Sequence, residues 1–149
     1  MPMTDEHLPG IDEEAEGLAY PAVEFDEFVV SDSSSSPTRE KSFAFSISII
    51  RLYKRLQRMK EFVISKQLLR SGTSIGANIE EAAAASSRRD FLYRMTVASR
   101  EARESVYWLR LLDESDLVDD VDVDGELESA HELVRLLTSI VKTTRESSK

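Results

Sequence analysis

The chain has 149 residues, no cysteine and a formal net charge of −9. That length suits one domain, and the lack of cysteine excludes disulfides and thiolate metal sites. No apolar run approaches the roughly 18 residues of a membrane span, and no Lys or Arg precedes Arg39, which argues against a signal or transit peptide. The expectation is a soluble, cytoplasmic protein with no membrane association.

The net charge hides a segregation. Residues 1–38 hold ten acids and no Lys or Arg; residues 39–112 hold fifteen basic and seven acidic residues; residues 113–149 hold four basic and eleven acidic ones. A basic central segment between two acidic ends points to a polyanionic partner more strongly than the overall sign does.

Residues 1–38 mix these acids with Pro2, Pro9, Pro21, Pro37 and a serine run at 33–36. Such a composition buries too little apolar surface to offset ordering, so it reads as a disordered acidic tail ahead of a folded domain at 39–149. Residues 23–30 alternate acids with Val and Phe and have the look of a short docking motif; a solvated tail or a misassigned start codon is the plainer reading. An acidic tail would also compete with nucleic acid for the basic segment.

A first helix is predicted over residues 39–60. At about 100° per residue, Phe45, Ile49, Leu52, Tyr53, Leu56 and Met59 share one face. Phe43, Ile47 and Ile50 fall nearly opposite, which suggests a contact with another subunit or a neighbouring helix. Arg51, Lys54, Arg55 and Arg58 form a basic stripe on the arc between. A second helix is predicted over 62–85, with Ile64, Leu68, Gly72, Ile75, Ile79 and Ala82 as its apolar stripe. A polar stripe of Gln67, Ser71, Ser74, Asn78 and Glu81 runs beside it and calls for a satisfied network or a contact surface.

Ser87 and Asp90 have capping-box spacing and open a third helix to about Leu112. Phe91, Met95, Ala98, Ala102, Ser105 or Val106, Leu109 and Leu112 form its core stripe, and Arg100 with Glu104 stand at i, i+4 on its flank. After an acidic connection, Asp124 is expected to cap a fourth helix with Leu127, Ala130, Val134, Leu137 and Val141 inward, widened by Leu133, Leu136 and Ile140. Residues 143–149 are expected to fray. No strand-like alternation survives inspection, so the fold class is all-α, an up-down-up-down four-helix bundle.

Three motifs touch on chemistry. Gly72-Thr73-Ser74-Ile75-Gly76 matches the nucleophile-elbow pattern, but that pattern needs a strand before the turn, and helical periodicity runs through this stretch. Glu128-Ser129-Ala130-His131 matches half of a di-iron bundle site, with no second copy to complete it. No catalytic residues, cofactor or metal are expected. Gly72 and Gly76 make a G-x-x-x-G pair, which speaks for close helix–helix approach. The basic stripe of the first helix is the functional lead. It would bind phosphates without reading sequence and lose affinity steeply with salt, while a merely solvated helix face is the plain alternative. No aromatic interleaves with it as base stacking requires.

Residues 67–82, Gln-Leu-Leu-Arg-Ser-Gly-Thr-Ser-Ile-Gly-Ala-Asn-Ile-Glu-Glu-Ala, resemble the signature of the four-helix bundle proteins encoded in 23S rRNA intervening sequences. Asp90-Phe91 and residues 101–109, Glu-Ala-Arg-Glu-Ser-Val-Tyr-Trp-Leu, resemble that family's third-helix motif. The resemblance implies a ring-shaped homopentamer. It extends to the accessory proteins of diversity-generating retroelements, basic barrels that bind nucleic acid and a reverse transcriptase. Carried over by position, Ser71, Ser74, Asn78 and Glu81 belong to subunit contacts or an internal network, with Gly72 and Gly76 in the same helix. The leading expectation is a non-enzymatic homo-oligomer that holds RNA, DNA or a nucleic-acid enzyme on its basic first helix. The runner-up is a protein-interaction scaffold with the acidic tail as docking element, and an enzyme comes third.

Overall fold

The structure, a computed structural model, describes residues 36–147. The acidic tail and its 23–30 patch lie outside the described residues, apart from Ser36 and the Pro37-Thr38 pair. Four helices make up the rest: α1 (Pro37–Arg58), α2 (Ile64–Ala83), α3 (Arg88–Glu114) and α4 (Asp124–Glu146).

Proline fits the first position of a helix, where its missing N–H would have no partner anyway. α1 therefore begins at Pro37, two residues before the expected start. Phe45, Ile49, Leu52 and Leu56 go to the core as the spacing predicts, whereas Met59 is the C-cap and is exposed. The stop is a Schellman motif: the Lys60 N–H bonds the Gln57 carbonyl and the Glu61 N–H bonds that of Leu56. Lys60 sits at φ 62° to close it, the left-handed conformation that glycine usually supplies.

α2 is four residues shorter than expected, at both ends together. Glu61 decides its start. One carboxylate oxygen accepts the N–H groups of Val63 (3.0 Å) and Ile64 (2.9 Å), and the other accepts that of Ser65 (2.7 Å). Those donors have no partner within the helix, and a negative charge there also suits the helix dipole. Burial pushes the Glu61 carboxyl up, but the bonds from Ser65, Ile64 and Val63 outweigh it and hold it below its ordinary 4.5.

Ser87 caps α3 as predicted, its hydroxyl accepting the Asp90 N–H at 3.1 Å. The expected cap of α4 shifts. Asp124 is already helical, and its N–H is taken by the carboxylate of Asp122 at 3.0 Å. α4 is helical as far as Glu146, with Thr144 fully buried and its hydroxyl bonding the Ile140 carbonyl; residues 148 and 149 lie outside the described residues. Leu133 sits at the core centre of α4, and Val134 only flanks it.

Each helix packs on its neighbours in the chain, and α1 meets α4 to close the square. The α2–α3 seam is the most extensive and the α1–α4 seam the least. Every inward stripe meets at one core of Leu, Ile, Phe, Met, Val and Ala, each large side chain contributing about 1.5–3 kcal/mol on burial. The described residues form a four-helix bundle, and none of their helices is long and apolar enough to cross a membrane.

Candidate nucleic-acid interface

α1 turns two different faces to its surroundings. Opposite its core stripe, Phe43, Ile47, Ile50 and Lys54 line up at about 100° per residue. Exposure agrees: Phe43 is 69% exposed, Ile50 38%, and Ile47 is half-buried. Arg51, Lys54 and Arg58 continue the same side toward the helix C-terminus, all exposed. The outer face of α1 is thus apolar in its first half and cationic in its second.

Carboxylates of α4 do reach α1, but not there. Glu132 pairs with Lys41 Nζ at 2.7 Å and Glu126 accepts the Ser48 hydroxyl at 3.0 Å, both N-terminal to the cationic stretch. Arg55 turns toward the α3–α4 connection, where its Nη2 donates to the Asp122 carbonyl at 3.1 Å. Arg51, Lys54 and Arg58 have no ion pair among the described residues. Of the four predicted binding residues, three stand together and free, and Arg55 is partly engaged. The outlying basics differ again. Arg70 pairs with Glu101 and Glu104, and Arg88 donates to the Thr144 carbonyl at 3.1 Å.

The polar stripe of α2 lies along its seam with α3. Ser71 and Ser105 are both fully buried, with their hydroxyls 3.0 Å apart, and the carbonyls of Leu68 and Glu101 lie within reach as further acceptors. Arg70 bridges to Glu101 and Glu104, and Trp108 Nε1 donates to Glu104 at 3.1 Å. Glu104 therefore turns to α2, not to its i−4 neighbour Arg100. Burial raises the Glu104 carboxyl, yet the bonds from Trp108 and Arg70 bring it below the usual carboxylate range. At the far end Glu81 meets Arg94 at 2.6 Å, while the half-buried Asn78 donates to the Ser74 carbonyl at 2.8 Å. This seam is internal to one chain and is largely satisfied.

The two glycines face α1. A Cβ on Gly72 would stand 3.0 Å from both Cγ atoms of Ile49, so the close approach depends on glycine. On Gly76 it would meet only Ser46 and Ser42 atoms at 3.5 Å or more, an ordinary contact. His131 and Glu128 are exposed, and no group of three or more metal-ligating side chains gathers among the described residues.

The family described as 23S rRNA-intervening sequence protein matches residues 36–139. The chain belongs to this family. A crystal structure of a protein of unknown function from the S23 ribosomal protein family, from Bacteroides thetaiotaomicron VPI-5482, is 45% identical, with a TM-score of 0.67. The similarity covers 70% of this chain and 98% of that one. Comparison with curated proteins gave no match. In this 23S rRNA-intervening sequence protein the match spans α1 to α3 and α4 as far as Ser139, and so includes the whole basic face of α1. Sequence reading missed a second gathering of cations, Arg100 and Arg103 with Lys142 and Arg145. Its signal was the parallel spacing 96-100-103 and 138-142-145, which acquires meaning only once α3 and α4 are known to be adjacent.

Proposed function

We propose that this 23S rRNA-intervening sequence protein is a non-enzymatic homo-oligomer that holds RNA or DNA, without reading sequence, on the cationic half of α1. One observation carries the reading: Arg51, Lys54 and Arg58 project together from the outer face, unneutralised by the carboxylates around them. Beside them, Phe43, Ile47 and Ile50 make an apolar patch on the same side of the helix, suited to covering by another subunit. Assembly through that patch would collect the cations of several chains at one end of a ring, the pentamer that the resemblance implies. Such a surface attracts phosphates by counterion release, and an exposed cation cluster is equally suited to the template strand held by a reverse transcriptase or another nucleic-acid enzyme.

The test is fluorescence anisotropy with a single-stranded RNA across a salt series, on wild type and on Arg51→Gln/Lys54→Gln/Arg55→Gln/Arg58→Gln. The expected result is loss of binding, or a salt slope lower by about 1 for each phosphate contact removed. No binding by wild type at low salt, or an unchanged slope in the variant, overturns the reading. Light scattering on Phe43→Ser/Ile50→Ser reports assembly separately, with a fall to monomer mass expected. A second reading, a protein-interaction scaffold, draws on the same Phe43 patch. A pulldown that depends on residues 23–30 and on Phe43, with no RNA binding, would favour it.

A further inference from the structure

In the middle of α3 the charges are sorted by side. Glu101 and Glu104 face α2 and meet Arg70 there. Arg100 and Arg103 lie on the side toward α4. There α3 and α4 enclose a groove of about 380 Å³, walled by Arg100 and Arg103 on one helix and by Lys142 and Arg145 on the other. One carboxylate lines it, Glu146, 4.0 Å from Lys142. Four cations against one anion around a concave space repel one another unless something negative comes between them. The floor is Ser99 and Val141, nearly buried, and hydroxyls of Thr96 and Thr138 line the walls. Arg103 is already aimed by its bond to the Thr138 hydroxyl at 2.9 Å.

The geometry points to a binding site for a small ligand bearing two or more linked phosphates. The volume falls in the range of small-molecule sites, roughly 300–1,000 Å³. Each wall presents two cations three residues apart, about 4.5 Å along the axis, so the four together suit the many negative oxygens of linked phosphates better than those of a single one. Guanidinium groups favour such oxygens because their fork of donors matches them in pairs. The site is separate from α1, and half its cations, Lys142 and Arg145, lie beyond the segment matched by the family.

Isothermal titration of the full chain in phosphate-free buffer tests this, with tripolyphosphate, orthophosphate and a single-stranded oligonucleotide lacking terminal phosphates as the three probes. Arg100→Gln/Arg145→Gln removes two exposed cations that hold no bond in the fold, so the variant stays folded; a thermal melt checks that. Tripolyphosphate is expected to bind saturably, at least tenfold tighter than orthophosphate. It should lose at least tenfold in this variant and nothing in Arg51→Gln/Lys54→Gln/Arg58→Gln. Absence of saturable binding overturns the site, as does an equal loss in both variants, which would indicate diffuse charge. An oligonucleotide that binds as tightly as tripolyphosphate and depends on Arg100 and Arg145 also overturns it, making the groove a strand contact. Because the α1 variant is scored on RNA and the groove variant on tripolyphosphate, either proposal can fail alone.

Discussion

Glu61 is the residue whose removal the fold should feel most for its size. It is 7% exposed, and its carboxylate takes three backbone donors at 2.7 to 3.0 Å. A buried N–H left without an acceptor costs about 1–3 kcal/mol. In Glu61→Ala, water can reach the N–H of Val63, which is exposed, but not that of Ser65, which is fully buried. One full penalty and one partial one, with the lost cap, give about 2–4 kcal/mol. Glu61→Gln keeps one acceptor oxygen but turns an amide N–H toward another donor, for about 1–2 kcal/mol. The carboxyl is held below its ordinary 4.5, so its stabilisation is complete above that value and disappears as pH falls through the lower, folded one. Urea unfolding followed by circular dichroism, at fixed protein concentration, should show the wild-type advantage over Glu61→Gln in full at pH 7 and shrinking below pH 4. A Glu61→Ala loss under about 0.5 kcal/mol, or an advantage that persists undiminished in acid, would refute the capping role.

The two glycines of α2 should separate cleanly. Gly72→Ala drives a methyl against the stiff, branched Ile49 and should cost about 1–3 kcal/mol, and less when it is made on Ile49→Ala, whose own cavity cost is measured separately. Gly76→Ala has room and gains helix propensity, so it should be neutral or stabilising by up to about 1 kcal/mol; thermal melts of these variants decide. Lys60→Gly removes a left-handed lysine from the Schellman corner and should raise stability by about 0.5–1 kcal/mol, read from the urea midpoint at unchanged m-value. Lys60→Ala, which keeps the strain, should gain nothing.

Period 3.6 carries almost all of the fold. The inward residues of α1, α2 and α3 can be read off one strand of text, because burial on a helix repeats with its own geometry. Capping is legible where the side chain and its target are three apart in one standard pattern, as at Ser87 and Asp90. It is not legible at Glu61, where the cap serves three donors from a corner that looks like a loop, or at Asp122, where neighbouring acids compete for one role. The polar stripe of α2 stood out as needing partners, yet Ser105 for Ser71 and Arg94 for Glu81 emerge only when α3 is set beside it. The outer face of α1 was legible because its two halves are each continuous in sequence. The α3–α4 groove was not, since its walls come from segments about forty residues apart.

The four seams of the bundle are unequal, and that inequality sets how the molecule breathes. α1 and α4 touch least, and what joins them beyond the core is polar contact near the surface: Lys41 with Glu132, exposed, and Ser48 with Glu126, half-buried. Such contacts are worth about 0–1 kcal/mol each. Local opening follows the weakest boundary, so amide protons along α4 and the outer turns of α1 exchange through fluctuations that leave the α2–α3 pair closed. The helix that carries the free cations is therefore expected to be among the first to loosen, and the proposed anion or second subunit, seated on it, would slow exchange there before anywhere else.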